Sequence, residues 1–160
     1  AFLAMLSAAA VPAQAAASPR IDAIEARIFN SKTGGLSEDV LAGDGSAFGN
    51  APIGDLQASA ALIVVRVRFD GTEAGDKPLK LRIVATESGT MPFAATKTKR
   101  AAKRILDSTS VIGSPGIKRD VHVGFWLPDV GCRTVMLKAT ILGAAVVTSR
   151  DEVLPFTCYE

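Results

Sequence analysis

His122 is the single histidine of the 160-residue chain, and Cys132 and Cys158 are its two cysteines. These three residues bound the metal and nucleophile chemistry available. One imidazole cannot build the two- or three-histidine sites of copper and zinc β-proteins, and the cysteine spacing is too wide for a C-x-x-C redox pair. A Ser-His-Asp triad needs one histidine. However, the chain has no G-x-S-x-G elbow, and His122 falls mid-strand between Val121 and Val123, where a hydrogen-bonded or solvent-facing role is the simpler expectation. No phosphate-binding glycine motif occurs.

Charged residues supply the other chemistry. Glu38, Asp39, Asp44 and Asp55 gather in one candidate loop, and Asp70, Glu73 and Asp76 in a second. They are oxygen ligands by type, but they are scattered without EF-hand spacing, and Asp and Gly are ordinary turn residues. Glu87, Asp107 and Asp129 show no paired-carboxylate spacing. The basic run is more pointed. Lys97, Lys99, Arg100, Lys103 and Arg104 lie within eight residues, uninterrupted by acids. On one face they could hold an anionic envelope polymer. Otherwise they form a solvated helix face, or an edge strand whose charges deter edge-to-edge pairing. No stacking aromatics interleave with them, so nucleic acid is not the expected partner. Trp126, beside Pro128-Asp129, reads as a core or strand-end anchor.

These residues must be positioned by a β-rich domain. Residues 1–17 read as the remnant of a secretory signal peptide: an apolar run, Phe2 to Val11, then Pro12 and the small-x-small Ala13-Gln14-Ala15. Without an initiator Met or basic n-region, the sequence is expected to start inside that leader, with cleavage after Ala15 or Ala17. The run is about half of what spans a bilayer, and no later stretch is longer, so no membrane span is expected. Export to the periplasm or the extracellular space follows. In that oxidising compartment Cys132 and Cys158 read as a disulfide, which would stabilise by about 3.5 kcal/mol. The +2 net charge, from 18 basic and 16 acidic residues, makes no global case for a polyanion.

Residues 18–160 read as one domain of alternating strands. Ile24, Ala26 and Ile28 alternate with charged neighbours, and Ile63, Val65, Val67 and Phe69 do so more clearly. After the turn region DGTEAGDKP come Leu79, Leu81, Ile83 and Ala85, so these two strands are expected to be hairpin neighbours. Val121 to Leu127, Val135 to Ile141 and a last strand from about Val146 to Cys158 follow. Ser31 to Asp55 reads as a long loop with a turn of helix near Leu36 to Leu41, and a loop this long carries function or hides an edge strand. Residues 98–106 suit a short helix or a basic edge strand. Pairing Cys132 with Cys158 around a turn in Gly143 to Val146 would set Lys138 opposite Glu152 and Ala139 opposite Asp151.

The expected fold is therefore all-β, an immunoglobulin-like antiparallel sandwich of about seven to nine strands, with a small barrel as the alternative. The ending Gly131-Cys132-x-x-Val135-x-Leu137-x-Ala139, then Phe156-x-Cys158-x-Glu160, resembles small exported bacterial proteins with such a sandwich. The resemblance implies a fold and an address, and transfers no catalytic residue. The functional expectation is a non-enzymatic binding or accessory module at the cell envelope, without cofactor, whose partner is an envelope polyanion or a protein. The alternatives are a structural subunit of a surface assembly, pairing through the edge of Ala61 to Phe69 or the N-terminal strand, and a hydrolase built on His122.

Overall fold

The computed structural model describes residues 19–43, 54–70, 77–88, 101–113, 119–128 and 134–155. Among these residues seven antiparallel strands form two sheets. They are β1 (Arg20–Asn30), β2 (Leu56–Phe69), β3 (Leu79–Glu87), β4 (Lys103–Gly113), β5 (Arg119–Leu127), β6 (Val135–Leu142) and β7 (Thr148–Leu154). One sheet has the order β1-β2-β5, the other β4-β3-β6-β7. The chain crosses from sheet to sheet at β2 to β3, at β4 to β5 and at β5 to β6, so that β2 and β5, adjacent in one sheet, are each followed by one of the adjacent strands β3 and β6 of the other. That interlocked, Greek-key arrangement makes the protein an immunoglobulin-like β-sandwich. Two open sheets rather than one closed ladder rule out the barrel.

The alternation works as a face code. Ile63, Val65 and Val67 of β2, Leu81 and Ile83 of β3, and Leu137 and Ile141 of β6 are almost wholly buried between the sheets. A bulge at Asp22 lets both Ile21 and Ile24 of β1 reach the core while Asp22 turns outward.

Several expectations are corrected. β2 and β3 are not hairpin neighbours: each is an inner strand of a different sheet. Alternation reports which face a strand buries, not which strand lies beside it. The edge of Ala61 to Phe69 is not exposed, because β1 and β5 pair along both its sides. Within 98–106 the described part is the edge-strand alternative and not the helix, since β4 lies at the edge of its sheet. Ala101 and Ala102 precede β4, whose ladder with β3 overrides local helix propensity. The segment near Leu36 to Leu41 is not a turn of helix either. Leu36 bridges to Phe29, and the N–H groups of Ser37 and Val40 donate to the carbonyls of Ile28 and Ala26, each at 2.8 Å. In return Ile28 N donates to Ser37 Oγ (3.0 Å) and Ala26 N to Asp39 Oδ1 (2.9 Å). The long loop thus seals the C-terminal half of the β1 edge, using side-chain oxygens where a strand would offer carbonyls.

The β6–β7 turn falls in Gly143 to Val146 as expected, but the ladder is displaced by one residue. Lys138 lies opposite Asp151, and Leu137 opposite Glu152. The cause is Leu154, wholly buried opposite Val135. The expected register would have turned it to solvent. The arithmetic that set Cys132 opposite Cys158 therefore lapses. Both cysteines lie outside the described residues, as do the candidate leader, Lys97, Lys99 and Arg100.

Candidate functional site

The outer face of the four-stranded sheet carries a shallow groove of about 460 Å³. Cross-strand ladders set its rows. Arg82 and Thr140 share one row, and Asp107, Val84, Lys138 and Asp151 the next. Arg104, Thr86, Met136 and Val153 form the third. Three cations, Arg82, Arg104 and Lys138, line the groove against one lining acid, Asp151, over a floor that includes Val84, Met136 and Leu142. Each cation comes from a different strand: β3, β4 and β6.

Asp107 organises the basic side. Arg82 donates to it from Nε (2.8 Å) and Nη2 (2.7 Å), and Arg104 from Nη1 (2.9 Å). Arg82 holds the Asp107 carboxyl below its usual range, and Asp107 in turn raises Arg82. One carboxylate shared by two guanidinium groups leaves a net positive charge, with N–H donors to spare. Lys138 Nζ stands 3.8 Å from Asp151 Oδ1, a loose and exposed pair. The arrangement can accept a carboxylate, phosphate or sulfate oxygen beside apolar carbon.

Lys103 and Arg104, the described members of the basic run, do not share a face. Arg104 lies in the row of Thr86 on the outer side, while Lys103 is opposite the buried Glu87. The structure instead brings Arg104 together with Arg82 and Lys138, which the run itself does not contain. Both stand at outward positions of alternating strands, and that was their available signal.

The outer face of the three-stranded sheet is divided along its strands. At one end Arg68 is held between Asp22 (2.9 Å) and Asp120 (3.1 Å), and Arg20 also bonds Asp22 (2.9 Å). The bond from Arg20 lowers the Asp22 carboxyl, and Asp120 raises Arg68. His122 is exposed in the next row, opposite Arg66. At the other end stand Leu62, Val64 and Trp126. Trp126 is 55% exposed at the end of β5, which overturns the core alternative of its reading and leaves the strand-end one.

Two of the described loop acids, Asp39 and Asp70, hold structure. Asp39 accepts from the N–H of Ala26 and Leu41, and Asp70 pairs with Arg20 at 3.6 Å. Among the described residues no three His, Cys, Asp or Glu side chains converge on a metal position. No helix there is long and apolar enough to cross a membrane.

Fold and surface together define an immunoglobulin-like β-sandwich with one basic-rimmed groove and one aromatic face. The chain matches no protein-family model and no curated protein.

Proposed function

We propose that the chain is an exported, non-enzymatic β-sandwich that serves at the cell envelope as a binding or accessory module, in the periplasm or outside the cell. The signal-like residues 1–17 support the address, and a Cys132–Cys158 disulfide is the staple suited to it. The observation that carries the reading is the groove of the four-stranded sheet, where Arg82, Arg104 and Lys138 converge over apolar carbon. Its partner is an anionic envelope polymer or glycolipid, whose acidic groups meet the three cations while its carbon skeleton covers Val84 and Met136.

The test is binding of the purified protein to lipopolysaccharide and to polyanionic glycans across a salt series. Beside it run the triple variant Arg82→Gln, Arg104→Gln, Lys138→Gln and a variant neutralised at Lys97, Lys99, Arg100 and Lys103. Salt-sensitive binding lost in the triple variant is the expected result. Equal, negligible binding by wild type and both variants overturns the reading. A structural subunit has less support, since β2 is an inner strand and the loop holds part of the β1 edge.

A further inference from the structure

Trp126 is the sole tryptophan of the chain and stands at the end of β5 on the outer face of the three-stranded sheet, 55% exposed. A large amphipathic ring left half in water on a sheet face forgoes much of the burial that would stabilise the fold. Its surroundings are built from two cross-strand rows. Arg27, Leu62 and Trp126 form one, and Glu25, Val64 and Gly124 the other. Gly124 presents no side chain beside the indole. A Cβ there would stand 3.3 Å from Leu62 Cδ1, so Leu62 occupies the vacated space and the strip between β1 and β5 is low and apolar.

Across that strip, Arg27 donates from Nη2 (2.8 Å) and Nε (3.3 Å) to a single oxygen of Glu25, Oε2. Oε1 has no protein partner among the described residues. The pair lies two strand spacings from the column of Trp126, on the order of 10 Å.

We propose that this face is a platform for a neutral saccharide, independent of the groove on the opposite sheet. A pyranose ring has an apolar C–H face and a rim of adjacent hydroxyls that both donate and accept. The indole and Leu62 match the first, and the Glu25–Arg27 pair matches the second. The pair is neutral overall, so it favours hydroxyls over an ion: Glu25 repels an anion and Arg27 a cation. On one side the apolar strip of Leu62, Val64 and Trp126 ends at the row of Arg66 and His122.

The intact protein is titrated with neutral hexose and N-acetylhexosamine oligosaccharides, with binding read by calorimetry and by Trp126 fluorescence. Saturable, salt-insensitive binding is expected. Trp126→Ala should weaken it at least about tenfold, and Glu25→Ala should weaken it while leaving the fluorescence of the free protein unchanged. Trp126→Phe, which keeps a stacking ring, should recover most of the affinity. Unchanged melting temperatures establish that each variant folds. No saturation at millimolar oligosaccharide overturns the proposal, as does binding that Trp126→Ala retains. A concentration-dependent dimer that Trp126→Ala abolishes would assign the face to a second copy instead. Binding confined to charged glycans and lost in the groove variant would return the ligand to the other sheet.

Discussion

Arg119 lies over Phe69, its partner across the β2–β5 ladder, with the guanidinium carbon 4.9 Å from the ring centroid. The same side chain donates from Nη2 to the carbonyl of Ile112 on β4 at 3.2 Å. One residue of the three-stranded sheet thereby clasps the edge of the other. Gly113 makes room for it. Its φ is +101°, and a Cβ added there would collide with Arg119 Nη2. Gly113→Ala should therefore destabilise by about 2 kcal/mol, from backbone strain and displacement of the clasp. In an Arg119→Ala background the collision is gone, so urea melts should show a smaller cost for the same change. Additive costs would count against the clasp.

One carboxylate ties the loop that seals β1 both to the strand and to itself. Asp39 Oδ1 accepts from both Ala26 N (2.9 Å) and Leu41 N (3.0 Å). Asp39→Ala strands two backbone donors and should cost about 1–3 kcal/mol. Asp39→Asn keeps an acceptor oxygen and should recover most of the loss. Because the seal covers a strand edge, the alanine variant should also scatter more light during storage at high concentration. Equal stability of the two variants would show that the loop is held by its own backbone bonds.

Leu154 sets the β6–β7 register, and its neighbour supplies the control. Leu154→Ala should destabilise by roughly 2–4 kcal/mol, because the residue is wholly buried against Val135. Val153→Ala, on the 43%-exposed outer face opposite Met136, should change stability by no more than about 0.5 kcal/mol. Chemical denaturation compares them directly. Similar costs at the two positions would mean that burial of Leu154 does not select the register.

The contrast between neighbours explains what was legible in the chain. The face of each strand was readable, because Val65, Val67 and Phe69 alternate with Arg66 and Arg68 over a period of two. Partners were not readable. The β2–β3 crossing and the one-residue displacement at Leu154 are settled by contacts between distant segments, which local periodicity does not encode. The same holds for the groove: Arg82, Arg104 and Lys138 meet across a sheet whose order is β4-β3-β6. Trp126 is the instructive case. Its place among His122 and Gly124 already marked it as outward-facing, while its residue type argued for burial. The pattern proved the better guide.

The paired acids make the fold sensitive to acid in a defined direction. Asp22 and Asp107 both titrate below the usual value of 3.8, the first chiefly through its bond from Arg20 and the second through that from Arg82. A carboxyl whose pKa is lower when folded than when unfolded binds protons more readily in the unfolded chain. Its contribution is therefore complete above the unfolded value, and is lost as pH falls through the folded one. Stability from these two groups should be full above about pH 5 and decline below about pH 4. Both pairs are exposed, so salt should shrink the effect. Melting temperatures of Asp22→Asn and Asp107→Asn, taken between pH 2 and 6 at low and high salt, test this. Each variant should melt below wild type at pH 6 and converge toward it at pH 2. An offset that persists unchanged to pH 2 would place its cause outside the ion pairs.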